Sequence, residues 1–210
     1  MFFFPCWDVE SDEYWGVQVQ RHQWRDKPYL VVQSGGEGAD AESIQQLIDS
    51  NAFAHAVQLC YMSSSDASEA LRVAAIVKSA PKLQVLDVWG SDLYNGLKTL
   101  ASALQHSGQS IEQLRLALGD REQTLFDAIG AMPRLKALSL QMDRFDPMEP
   151  YLGDGLHQVL PKLLSLELAM FDQSRMFKWE VLKGSHIQLM HLHSSFDLSE
   201  FCIAVRLMPR

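Results

Sequence analysis

The chain has 210 residues, 47% apolar and 21% charged, with 18 Lys and Arg against 26 Asp and Glu for a formal charge of −8. That balance suits one domain or one continuous repeat array with a substantial core, and disorder is not expected. The first fifty residues carry nine acids against Arg21, Arg25 and Lys27; such a chain is repelled by phosphate backbones and anionic bilayers, so neither nucleic acid nor membrane is expected as a partner.

In chain order, the start Met1-Phe2-Phe3-Phe4-Pro5-Cys6-Trp7-Asp8 lacks a basic leader and turns acidic before a signal-length apolar stretch accumulates. No apolar run approaches the roughly 18 to 20 residues of a membrane span. A cytoplasmic location is expected, with a secreted effector exported without a cleaved signal also compatible. Cys6, Cys60 and Cys202 lie far apart without a CxxC, which points to neither a disulfide framework nor a zinc knuckle. Residues 1–26 are rich in aromatics (Phe2, Phe3, Phe4, Trp7, Tyr14, Trp15, Trp24), and Gly16-Val17-Gln18-Val19-Gln20 alternates as a strand does; this reads as an N-terminal aromatic cap.

Gly36-Glu37-Gly38-Ala39-Asp40-Ala41 has the form of a dinucleotide fingerprint. Glu37 and Asp40 would confront a pyrophosphate, however, and Cys60 and Tyr61 stand where a ribose-binding acid belongs, so a tight turn into a helix is the expectation. Helical periodicity is read at 41–52. Asp66 with Glu69 resembles a capping-box start for an apolar run at 70–77. Leu93, Leu97, Leu100 and Leu104 share one helical face. Further helices are expected at 121–131 and 148–159, and Pro81, Pro133 and Pro161 follow helix ends.

Short apolar segments recur between these helices. Pro81-Lys82-Leu83-Gln84-Val85-Leu86-Asp87-Val88, Pro133-Arg134-Leu135-Lys136-Ala137-Leu138-Ser139-Leu140 and Pro161-Lys162-Leu163-Leu164-Ser165-Leu166-Glu167-Leu168 all read Pro, base, Leu, two variable, Leu, one variable, apolar. The L-x-x-L-x-L frame also fits Ile111, Leu114, Leu116 and Ile187, Met190, Leu192, and more loosely Ala54, Val57, Leu59, with a first copy ending Leu30, Val31, Val32. The last apolar positions, 32, 59, 88, 116, 140, 168 and 192, are separated by 27, 29, 28, 24, 28 and 24 residues.

This pattern resembles the leucine-rich-repeat family, and the long steps with full helices look most like its ribonuclease-inhibitor-like class. The resemblance spans about residues 27–194 and departs from the family at the asparagine that usually follows the strand: Ser91, Gly119, Asp143, Phe171 and Ser195, or Asp92, Asp120, Arg144 and Asp172, stand there instead. It implies an α/β solenoid, a right-handed horseshoe with a parallel concave sheet and outer helices, over 27–195. Phe201, Ile203, Val205 and Leu207 alternate as a capping strand within 196–210.

Residues between the inward leucines would line the concave sheet. One outward row reads Val31, Gln58, Asp87, Arg115, Ser139, Glu167 and His191, and the next Gln33, Cys60, Trp89, Ala117, Gln141, Ala169 and His193. Asp87 should face Arg115, Glu167 should face His191, and Tyr61 should neighbour a projecting Trp89. Tyr61, Asp87, Trp89, Arg115, Gln141, Glu167, His191 and His193 are thus the candidate partner-binding residues of a non-enzymatic module for a basic protein, with no catalytic residue, cofactor or metal expected. An inhibitor or immunity protein, a microbial effector and an adaptor all fit that description. The alternative is a small metal-dependent or nucleotide-binding enzyme using His191, His193 and Glu167 or the glycine loop at 35–38. A Cys60–His193 nucleophile pair is excluded by register, since the two lie five strands apart.

Overall fold

Strands whose apolar residues alternate can share one core only if they lie side by side in register. In the computed structural model, which describes residues 10–14, 17–24, 27–34, 40–62, 68–119, 122–142, 158–170 and 185–193, the described strands form a single sheet in strict chain order. β1 (Glu10–Tyr14), β2 (Val17–Trp24) and β3 (Lys27–Ser34) form an antiparallel meander. From β3 onward every pairing is parallel: β4 (Gln58–Met62), β5 (Val85–Leu93), β6 (Gln113–Leu118), β7 (Ala137–Met142), β8 (Ser165–Met170) and β9 (Leu189–His193).

Parallel neighbours that follow one another in the chain require a crossover. The helices α1 (Asp40–Asp49), α2 (Glu69–Ser79), α3 (Leu97–Ser107) and α4 (Gln123–Ala131) occupy the first four crossovers from β3 to β7. The chain is therefore a mixed α/β fold on one sheet.

Two inward rows run across that sheet. Leu30, Leu59, Leu86, Leu114, Leu138 and Leu166 form one, and Val32, Tyr61, Val88, Leu116 and Leu140 the other; all are buried. Ala56, Leu83, Ile111, Leu135 and Leu163 seal the turns before the strands, and Val73, Ile76, Leu100, Leu104, Leu125, Phe126 and Ile129 cover the rows from the helices. Each large aliphatic side chain so buried contributes ~1.5–3 kcal/mol. The ladder continues ahead of the strands. Gln84 N–H donates to Val57 C=O at 2.7 Å, Glu112 to Gln84 at 2.8 Å, Lys136 to Glu112 at 2.8 Å, Leu164 to Lys136 at 2.7 Å and Gln188 to Leu164 at 2.8 Å.

The structure corrects the sequence reading in three places. The second copy is Ala56, Leu59, Tyr61 rather than Ala54, Val57, Leu59, since Leu59 pairs with Leu86 and Tyr61 with Val88. A two-residue slip keeps the same face and so left the alternation intact. Leu93 closes β5 instead of opening a helix, because Gly96 at φ +83° turns the chain before α3 begins at Leu97. Glu69 is the first residue of α2, with Ser68 at the N-cap position rather than Asp66, which lies outside the described residues, and Glu69 is buried. Most of the helix expected at 148–159, the aromatics of 1–9 and the capping strand of 196–210 fall outside the described residues.

Candidate functional site

The strand face opposite the helices carries the outward rows. The corrected register makes the first row Val31, Cys60, Asp87, Arg115, Ser139, Glu167 and His191, so Cys60 replaces Gln58. The second runs Gln33, Met62 and Trp89, then Ala117, Gln141, Ala169 and His193. Between Val88 and Leu93 β5 bulges away from β6, so Trp89 pairs with Met62 but falls in the irregular stretch on the β6 side. Gln141 is exposed. His191 and His193 sit on β9 beside Glu167 and Ala169.

Arg115 organises the middle of this face, because its planar guanidinium presents several donors in fixed directions. Its Nη1 meets Asp87 Oδ2 at 3.4 Å, its Nη2 meets Glu167 Oε2 at 3.2 Å, and its Nε donates to Ser139 Oγ at 3.3 Å. One side chain thus links β5, β6, β7 and β8. The Arg115 head is 39% exposed while Asp87 is 6% exposed, and Asp87 Oδ1 is buried without a hydrogen-bond partner among the described residues. Burial pushes the Asp87 carboxyl up to about 6, with the Arg115 charge pulling it down and the Glu167 charge adding to the rise.

These residues line a shallow groove of about 80 Å³ floored by Leu86, Leu114 and Leu138 and walled by Val85, Gln113, Ala137 and Ser165. Sites that enclose small molecules span ~300–1,000 Å³. This groove is open and well below that range.

Tyr61, expected beside Trp89, is not on this face. It is fully buried in the inward row, where its hydroxyl donates to Glu69 Oε2. Glu69 Oε1 in turn meets Arg72 Nη1 at 3.2 Å, both residues being buried on α2. A phenol can take an inward position only if its O–H finds a partner, and the first turn of the next helix supplies one. Sequence reading missed this network, although Glu69 and Arg72, three residues apart on a helix that follows an inward tyrosine, carried the signal. Among the described residues no three His, Cys, Asp or Glu side chains cluster as metal ligands would, and no helix is long and apolar enough to cross a membrane. The glycine loop at 35–38 lies outside the described residues. No protein-family model and no curated protein matches the chain.

Proposed function

We propose that the chain is a leucine-rich-repeat solenoid of the ribonuclease-inhibitor-like kind, and that it is a non-enzymatic module whose sheet face opposite the helices binds a basic protein. The observation that carries this reading is the outward row itself: Asp87, Arg115 and Glu167 lie in register across four consecutive strands around an open groove, with two acids to one base. Seven parallel strands at ~4.8 Å form a face roughly 30 Å wide, enough for a standard interface of about 800 Å² on each partner. The acidity of the whole chain speeds encounter with a basic partner and sets the sign of the preference. An inhibitor, an effector and an adaptor would each use such a face.

The test is affinity capture from the native cell with the wild type and with Gln113→Arg/Gln141→Arg as parallel baits. Both positions reach solvent on the outward face, so the double variant reverses the charge of the groove while keeping Asp87, Arg115 and Glu167 themselves. A basic protein enriched by the wild type should fall at least tenfold with the variant at equal melting temperature. Equal capture by both baits would refute the assignment to this face.

A further inference from the structure

The recurring base of the Pro-base-Leu triplets has a structural consequence that the outward face does not use. Those triplets precede the strands, and the ladder from Val57 through Gln84, Glu112, Lys136 and Leu164 to Gln188 locks them in register. Equivalent positions, four residues before each inward leucine, are Lys82 before β5, Ser110 before β6, Arg134 before β7, Lys162 before β8 and His186 before β9. Ser110 Oγ donates to Leu83 C=O at 2.7 Å and so joins the turn. Lys82, Arg134, Lys162 and His186 are all exposed, and among the described residues none of the four is ion-paired. In the adjoining row Lys136 is held by Glu112, Nζ to Oε2 at 2.8 Å.

We infer that this edge of the sheet, centred on Arg134 and Lys162, is a second binding surface that takes an extended acidic segment of a partner protein. Among the described residues of this edge, Lys82, Arg134, Lys136 and Lys162 against Glu112 leave a local charge of +3 on a chain of net −8, opposite in sign to the chain as a whole. Arg134, Lys136 and Lys162 share with Glu112, Pro133 and Leu135 an open groove of about 370 Å³. Leu164, two residues past Lys162, is 42% exposed and offers an apolar contact beside the bases.

The spacing fits an extended peptide. Neighbouring strands lie ~4.8 Å apart, so Lys82 to Lys162 covers three gaps, roughly 14 Å, while alternate side chains of an extended peptide recur every ~6.7 Å. Two or three acids at alternate positions therefore span the row. The macrodipole of α2 is met by Lys78 in its last turn, whereas Lys82 lies three residues past Ser79. A nucleic acid is disfavoured because three to four cations make few phosphate contacts and the remaining charge repels the strand.

The surface is distinct from the proposed concave face and succeeds or fails separately. The test is fluorescence anisotropy with labelled octaglutamate at low salt, on the whole chain, using wild type, Arg134→Glu/Lys162→Glu and the control Lys98→Glu, whose side chain is 77% exposed on α3. Octaglutamate should bind the wild type and Lys98→Glu alike and lose at least tenfold affinity with the double variant at unchanged melting temperature. The milder Arg134→Gln/Lys162→Gln keeps the test sound should charge reversal unfold the chain, and should itself weaken binding at least threefold. Wild-type affinity in a folded double variant, or tighter binding of a labelled oligothymidine of equal charge, would overturn the proposal.

Discussion

Replacing Asp87 by Asn should stabilise the protein at pH 8 relative to its effect in acid, although it breaks an ion pair. The Asp87 carboxyl is 6% exposed, one of its oxygens has no hydrogen-bond partner among the described residues, and its pKa is raised from 3.8 to about 6. A carboxyl whose folded pKa lies above its unfolded value binds more protons folded than unfolded between those two values. Ionisation therefore costs stability as pH rises through that window, and the cost is fully present above about pH 6 and absent below 3.8. A difference of about 2.2 units corresponds to roughly 3 kcal/mol at pH 8 and, on the same linkage, roughly 1 kcal/mol at pH 4.5.

Asn at this position mimics the neutral acid in shape, and its carbonyl still accepts from Arg115, which keeps Glu167. Any packing penalty common to both pH values cancels in the difference. Urea unfolding of wild type and Asp87→Asn, followed by circular dichroism at pH 4.5 and 8.0, should show the variant about 2 kcal/mol more favoured at the higher pH. A pH-independent difference, or a variant more destabilised at pH 8 than at 4.5, would mean that the carboxylate is well solvated or well paired and that the account of burial is wrong.

Tyr61→Phe removes the hydroxyl that donates to Glu69 Oε2 in a fully buried setting and should lower stability by about 1–3 kcal/mol in the same unfolding assay. A double-mutant cycle with Glu69→Gln should return a coupling of that order, and a coupling near zero would dissolve the network. Gly96→Ala places a Cβ 2.7 Å from Leu71 Cδ2 on a backbone at φ +83°; a loss of about 1 kcal/mol or more is expected, and a gain in melting temperature would show that the turn relaxes freely.

Much of the architecture was legible because it repeats. Five of the seven parallel strands carry a leucine, isoleucine, valine or methionine at three fixed offsets, and several in-register copies are hard to produce by chance. The register failed only at the copy whose inward residue is Tyr61, since a tyrosine reads as a surface residue unless its acceptor is known. From sequence Leu93 reads as helical, because a period of four fits a strand end followed by a turn equally well until Gly96 takes a positive φ. Spacing alone puts Asp87, Arg115 and Glu167 on the outward face, and the structure brings all three together.

By itself the sequence determined which residues alternate, where the chain turns and which side of each strand is apolar, because those follow from local periodicity and proline placement. Only the tertiary structure decided that Arg115 spans from Asp87 to Glu167, that Tyr61 turns inward to Glu69, and that the bases of separate triplets align along one edge of the sheet. The Tyr61 bond spans only eight residues but needs strand and helix packed together; the other two depend on the alignment of segments two dozen or more residues apart, which is set by the backbone bonds between neighbouring strands rather than by any property of the segments alone.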